Sequence, residues 1–211
     1  MRSLHPDHLT DLRRSGLTDE TIQAAGVYTI PPDEIGKKLG GGDDGITSLL
    51  AFPYPDCNDF ERYRCFYEEG KIGPKYRQAK GTPNRLYLLP TVDLQGNSTL
   101  LVVEGEKKAL ALVQAGYQVV GLGGVWNWCE KAEGYKRHKE SRPIPDIDQV
   151  NWRRPVIIIF DSDGLENRNV RLAAFRLARE ISNRGAWVKI LFIPSVFSDF
   201  LQNLIQNEVS K

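Results

Sequence analysis

Two short acidic motifs, each set directly behind an apolar run, carry the most chemistry in this chain. Glu104 follows Leu100-Leu101-Val102-Val103, and Asp161 and Asp163 follow Val156-Ile157-Ile158-Ile159-Phe160. In Asp161-Ser162-Asp163 alternate residues share a side, so both carboxylates can face one crevice. Three carboxylates gathered in one place repel and cannot all ionise cheaply unless a divalent cation neutralises them. Oxygen ligands without histidine suit magnesium or manganese rather than zinc. A single acid at a strand end is more often a helix cap or a wetted side chain; Glu behind one strand and DxD behind another shift the balance toward a metal. Lys107 and Lys108 stand just beyond Glu104 at a helix start, where lysine charge and backbone N–H groups can hold phosphate, although one of them can equally be a solvated side chain.

The elements that must position these groups are legible as period and punctuation. Leu100 to Val103 is a short, partly β-branched run that reads as a buried strand. Gly105 turns the backbone, Ala109, Leu110, Leu112 and Val113 give the apolar side of a helix, and Gly116 ends it before a second strand at Val119-Val120. Val156 to Phe160 is a third buried strand. Val170, Ala173, Ala174, Leu177 and Ile181 follow at helical spacing, then a strand over Trp187 to Ile193 and a short helix over Phe197 to Gln206. Ligands of open parallel sheets sit outside the carboxyl ends of the strands, which is where these acids stand.

Upstream, His5 to Arg14 and Asp19 to Ala25 read as two short helices, and Pro31 to Gly45 as a loop rich in Pro, Gly, Asp and Lys. Thr47 to Phe52 and Phe60 to Tyr67 form a predicted antiparallel hairpin. Alternation places Arg62 and Arg64 on one face; Lys75 and Arg77 repeat the spacing, and Lys80 and Arg85 follow. Basic groups at period two fit a phosphate-tracking groove and fit a solvated sheet face equally well. The interleaved Tyr63, Tyr76 and Tyr87 suit base stacking or core filling. Val125 to Asn151, with Trp126, Trp128 and a charged run, reads as irregular.

The 211 residues, 41% of them hydrophobic, suffice for one good core and a smaller second one. A net charge of +1 excludes a uniformly basic nucleic-acid binder and leaves room for a local basic face. Three cysteines without a CxxC pair suggest neither a disulfide framework nor a zinc ribbon. No apolar run approaches a membrane span and the first residues lack a signal-peptide pattern, so the expected location is cytoplasmic and no membrane partner is expected. Gly36-Lys37 is not a phosphate-binding loop, and GLGG falls short of a dinucleotide fingerprint.

Glu104-Gly105 behind one strand and Asp161-Ser162-Asp163 behind another resemble the Toprim domain shared by bacterial-type primases, topoisomerases and some nucleases. Pro74-Lys75-Tyr76 and Leu86-Tyr87 look similar to the basic subdomain that precedes that domain in the primases. The set SGLTDETI, KGTPNRLY, EGEKKALAL, GLGGVWNW and FDSD resembles the Toprim-like domain at the front of phage and plasmid primase-helicase proteins, from about His8 to Pro194. The resemblance implies an α/β Toprim fold over residues 96–211, a Rossmann-like mostly parallel sheet with helices on both faces, preceded by a small α+β subdomain over 1–95. It implies a metal-dependent DNA primase core that makes short RNA primers, with Mg2+ or Mn2+ held by Glu104, Asp161 and Asp163. Its partners would be a single-stranded DNA template, nucleoside triphosphates, and a replicative helicase on another chain or in a further C-terminal region. Arg64, Lys75, Arg77, Arg85, Lys107 and Lys108 are the expected contacts to template or nucleotide. The chain departs from those primases in lacking their zinc module, in Gly164-Leu165-Glu166-Asn167 after the DxD, and in offering only Asp199 for the further acids, which puts a two-metal arrangement in doubt. A Toprim nuclease and a non-catalytic DNA-binding module remain the alternatives.

Overall fold

The computed structural model describes residues 3–42, 45–55, 57, 59–131, 141–161 and 166–193. The chain divides into two compact units, Met1–Pro83 and Asn84–Lys211. The division falls ahead of the boundary expected at residue 95, because Leu86–Leu88 is a strand of the second unit's sheet.

The first unit runs α1 (Pro6–Arg14), α2 (Asp19–Ala24), β1 (Tyr28–Ile30), α3 (Pro32–Leu39), β2 (Ile46–Pro53), β3 (Glu61–Tyr67) and β4 (Tyr76–Gln78). Its sheet has the order β1-β2-β3-β4 and is antiparallel throughout. The segment expected as a loop, Pro31 to Gly45, therefore contains a helix. Pro32 sits in the first turn, where its missing N–H costs nothing, Asp33 and Glu34 complement the positive end of the helix dipole, and Lys37 and Lys38 complement the negative end. Gly40, at φ 72°, closes the helix in the left-handed region that favours glycine. Ile35 and Leu39, four apart, bury against Ile30, Leu49 and Ala51, each burial stabilising by roughly 2 kcal/mol.

The second unit runs β5 (Leu86–Leu88), β6 (Leu100–Glu104), α4 (Glu106–Gln114), β7 (Gln118–Leu122), β8 (Cys129–Lys131), β9 (Ser141–Pro143), β10 (Pro155–Asp161), α5 (Arg168–Asn183) and β11 (Trp187–Ile193). The main sheet has the order β11-β10-β6-β7-β5. Four strands are parallel, and β5 pairs antiparallel with β7. The unit is thus α/β with a mixed sheet. The stretch expected as irregular, Val125 to Asn151, holds the antiparallel pair β8–β9 and a 3-10 turn over Pro145–Gln149. Gly121 of β7 is a point of close approach: a Cβ there would lie 2.9 Å from the Tyr87 Cβ and 3.1 Å from the Ala109 Cβ. Only a residue without that atom lets β5 and α4 both close on the strand. In α5, Ala173, Ala174, Leu177 and Ile181 of the expected apolar face are buried and Val170 is half-buried, and the helix starts at Arg168 behind an Asn167 cap. The helix expected over Phe197 to Gln206 lies outside the described residues. Among those residues no helix is long and apolar enough to cross a membrane.

Candidate functional site

The strand order locates a crevice before any side chain is considered. From β6 the chain passes through α4 to β7 on one side, while β10 and then β11 pair on the other. The winding therefore reverses between β6 and β10, and at such a reversal the loops diverge at the carboxyl ends of the two strands. Ile159 of β10 lies opposite Val103 of β6. One further step along that register sets Glu104 level with Phe160, and Asp161, the next residue, ends β10, so the two acids close neighbouring strands at the same sheet edge with an offset of one residue. Their strands are fixed by the core: Leu100, Val102, Val156, Ile158 and Phe160 are all fully buried.

The turn behind Glu104 is built by Gly105, at φ 95°, a conformation that side-chain-bearing residues rarely adopt. Its N–H donates to the Leu122 carbonyl at 2.7 Å, tying the end of β6 to the end of β7. This fixes the start of α4, where Gly105 provides no side-chain cap, so the first-turn N–H groups and the positive end of the helix dipole lie directly behind the Glu104 strand end. Lys108, in that first turn, donates from Nζ to Oδ1 of Asp161. The pair is partly open to solvent, with 36% of the Lys108 side chain and 45% of the Asp161 side chain exposed. Lys107 and Glu104 are partly exposed as well. Glu104, Asp161, Lys107 and Lys108 thus stand together at one edge. Asp163, expected with them, lies outside the described residues, as does Asp199. Among the described residues no three Asp, Glu, His or Cys side chains assemble into a metal cage.

Arg85 lies beside the same edge, because Leu86 pairs with Leu122 at the end of β7. Its guanidinium is engaged: Nη1 donates to Asp146 Oδ1 at 2.9 Å, and Asp146, 1% exposed, also accepts from the Leu86 N–H at 2.9 Å. Arg64, Lys75 and Arg77 belong to the first unit. Arg64 pairs with Asp11 at 2.8 Å and packs over Phe66 and Tyr76. Arg62 is buried beside the same Tyr76 ring. Arg77 donates to the carbonyls of Gly41 and Gly42. Lys75 is exposed. The basic residues do not form one face: Arg77 pairs with Tyr63 and Tyr76 with Arg64, so Arg62 and Arg64 lie on one side of the sheet and Arg77 on the other, and these arginines are largely committed to internal partners.

Several residues at the edge escape a reading of strand ends. Glu106, in the first turn of α4, is 1% exposed. Burial, then the charge of Glu106, pushes the Tyr87 phenol well above its usual range, so Tyr87 stays protonated. The EGE spacing was the signal for Glu106. Trp126, in the segment after β7, donates from its indole to Asn169 at 3.2 Å, and Arg176 stands 5.8 Å over its ring. These contacts tie the segment after β7 to the beginning of α5 on the flank of the crevice. No local pattern announces them, since the partners are 43 residues apart or more.

The family model described as a domain of unknown function (DUF3854) matches residues 91–198, just over half of the chain. The match spans Glu104, Lys107, Lys108, Asp161 and Asp163 and leaves Arg64, Lys75, Arg77 and Arg85 outside. No curated protein matches the chain.

Proposed function

The chain belongs to the DUF3854 family, and we propose that it is a Toprim-type nucleotidyltransferase core: a primase that joins nucleotides on a single-stranded DNA template with the help of Mg2+ or Mn2+. The observation that carries this reading is that Glu104 and Asp161 end adjacent parallel strands at the point where the winding of the sheet reverses. The donor set fits the metal. Both groups are carboxylates, and Asp161 already attracts a cationic side chain. Glu104 and Asp161 would hold the ion, with Asp163 as the third expected ligand. When bound, the ion would neutralise charge on phosphate oxygens and on the leaving pyrophosphate.

The chain's own groups would do the rest. The first-turn N–H groups of α4 and the ammonium of Lys107 supply positive potential for a triphosphate. Glu104, ahead of the fixed Gly105 turn, is held at constant height relative to that helix start, which keeps metal and phosphate sites in register. Exposed Lys75 is the first unit's best candidate for a DNA phosphate, while Arg64, held by Asp11, and Arg77, held by the Gly41 and Gly42 carbonyls, serve chiefly to build that unit.

The test is synthesis of labelled dinucleotides from nucleoside triphosphates on mixed single-stranded templates with Mg2+ or Mn2+. Wild type should make primers, and Asp161→Asn should lose at least a hundredfold in rate with an unchanged circular-dichroism spectrum. Strand cleavage in the absence of triphosphates would replace this reading with a nuclease. Template binding with neither activity would replace it with a non-catalytic DNA-binding module.

A further inference from the structure

Lys108 was expected to meet phosphate, yet it is Asp161 that holds its ammonium. The two residues are 53 apart in sequence and come from different elements, the first turn of α4 and the last residue of β10. Their meeting is a consequence of β10 pairing beside β6 and of the Gly105 turn that aims α4 back over the sheet edge. We propose that Lys108 is a tethered counter-ion which competes with the divalent cation for Asp161 and so sets how tightly this edge takes up metal. The inference rests on the metal-site reading above.

Three properties of the pair make it a competitor rather than a structural clamp. A lysine ammonium is a compact, strongly hydrated point charge on a flexible four-carbon stem, so it can leave one partner for another without moving its helix. Both side chains are open to solvent by more than a third, so the bond is screened and readily broken. An ammonium and a divalent ion repel one another across a single carboxylate, so coordination by Asp161 favours withdrawal of Lys108. The withdrawn ammonium is then available to the phosphate that arrives with the metal.

The experiment is Mn2+ binding to the full chain, read from the free-ion electron paramagnetic resonance signal, for wild type, Lys108→Met, Lys108→Arg, Asp161→Asn and Lys189→Met. Lys108→Met keeps the apolar stem and removes the charge. Because a solvent-open ion pair changes an equilibrium constant by at most about fivefold, Kd for Mn2+ should tighten about three- to fivefold in Lys108→Met, and the difference from wild type should shrink in high salt. Lys108→Arg, still charged, should stay within about twofold of wild type. Lys189→Met removes the same charge from the exposed position 189 of β11 and should leave Kd unchanged, which separates a local effect from net charge. Unchanged or weaker binding in Lys108→Met, with binding lost in Asp161→Asn, would overturn the counter-ion role and leave the metal site standing. Equal binding by wild type and Asp161→Asn would overturn both.

Discussion

His8 offers a pH dependence whose size follows from its surroundings. It lies on α1, is 1% exposed, stacks on Phe66 at 4.2 Å, and is bracketed by hydroxyls, with Thr29 Oγ1 at 2.9 Å from Nδ1 and Ser48 Oγ at 2.9 Å from Nε2. Burial, followed by the nearby His5, lowers its pKa to about 4, against the pull of Asp11 and Asp7 in the other direction. An unfolded histidine titrates near 6.5. Between these values the unfolded chain binds a proton that the folded chain refuses, so stability falls as pH falls. The contribution is complete above about pH 6.5 and gone below about pH 4. A difference of about 2.5 pH units at about 1.4 kcal/mol each gives about 3 to 4 kcal/mol, a large share of a domain's usual stability of about 5 to 15 kcal/mol. The four tryptophans, at 126, 128, 152 and 187, all lie in the second unit. The assay must therefore report on the first unit directly: hydrogen exchange of the Leu49 to Ala51 amides at pH 5 and pH 7, corrected for intrinsic rates, with ring-proton NMR titration of His8. His8→Gln should be less stable at pH 7 and should lose most of the slope between pH 7 and 5. A His8 ring that titrates near 6.5, or an undiminished slope in the variant, would refute the reasoning.

Three further outcomes test the scaffold and the site. Glu104→Gln should raise the Mg2+ concentration for half-maximal primer synthesis, with excess metal recovering much of the rate; an unshifted half-point with a low plateau would assign Glu104 to proton transfer instead. Glu61 accepts from Lys38 at 2.8 Å, from Tyr63 at 2.9 Å and from Tyr28 at 2.5 Å. Glu61→Ala removes an acceptor shared by all three, leaving Lys38 its 3.2 Å bond to the Tyr28 hydroxyl, and should cost about 3 kcal/mol of first-unit stability, read by the same exchange measurement. Asp146→Ala removes the acceptor of both Arg85 and the Leu86 N–H and should cost about 3 to 5 kcal/mol, seen as a lower melting temperature by tryptophan fluorescence.

The parts of this fold legible in the sequence are those whose physics is local. β6 and β10 are buried on at least one full face beneath helices, so they appear as unbroken apolar runs, and a strand followed by Gly105 or by an Asp-rich sequence declares its own end. β1 and β5 are three residues long, too short for any period to show, and each exists only because a longer strand lies beside it. α3 was obscured by composition. Its Gly, Pro and Lys content suggests a loop, while the arrangement of those residues, Pro first, acids early, lysines late and Gly last, is that of a short capped helix.

The candidate site divides along the same line. That Glu104 and Asp161 end buried strands follows from the residues just before them; that they stand side by side follows only from β10 pairing with β6 rather than with β7, a choice made by the whole sheet. The charges were harder to assign than the acids because a basic side chain reaches far. Arg64, Arg85 and Lys108 each satisfy themselves on a carboxylate more than 50 residues distant, Asp11, Asp146 and Asp161 in turn. Period and motif place such a cation on a face but leave its partner open. The three pairs still differ in a way that bears on function. The acid of the Arg85 pair is sealed from water and both members of the Arg64 pair are less than a fifth exposed, so breaking either would uncover a costly charge. The Lys108 pair is the most open of the three, and it lies where the winding of the sheet reverses. An ion pair that is cheap to open, set at a sheet edge where two neighbouring strands end in carboxylates, is suited to exchange its cation for another, while the other two are suited to hold the scaffold still.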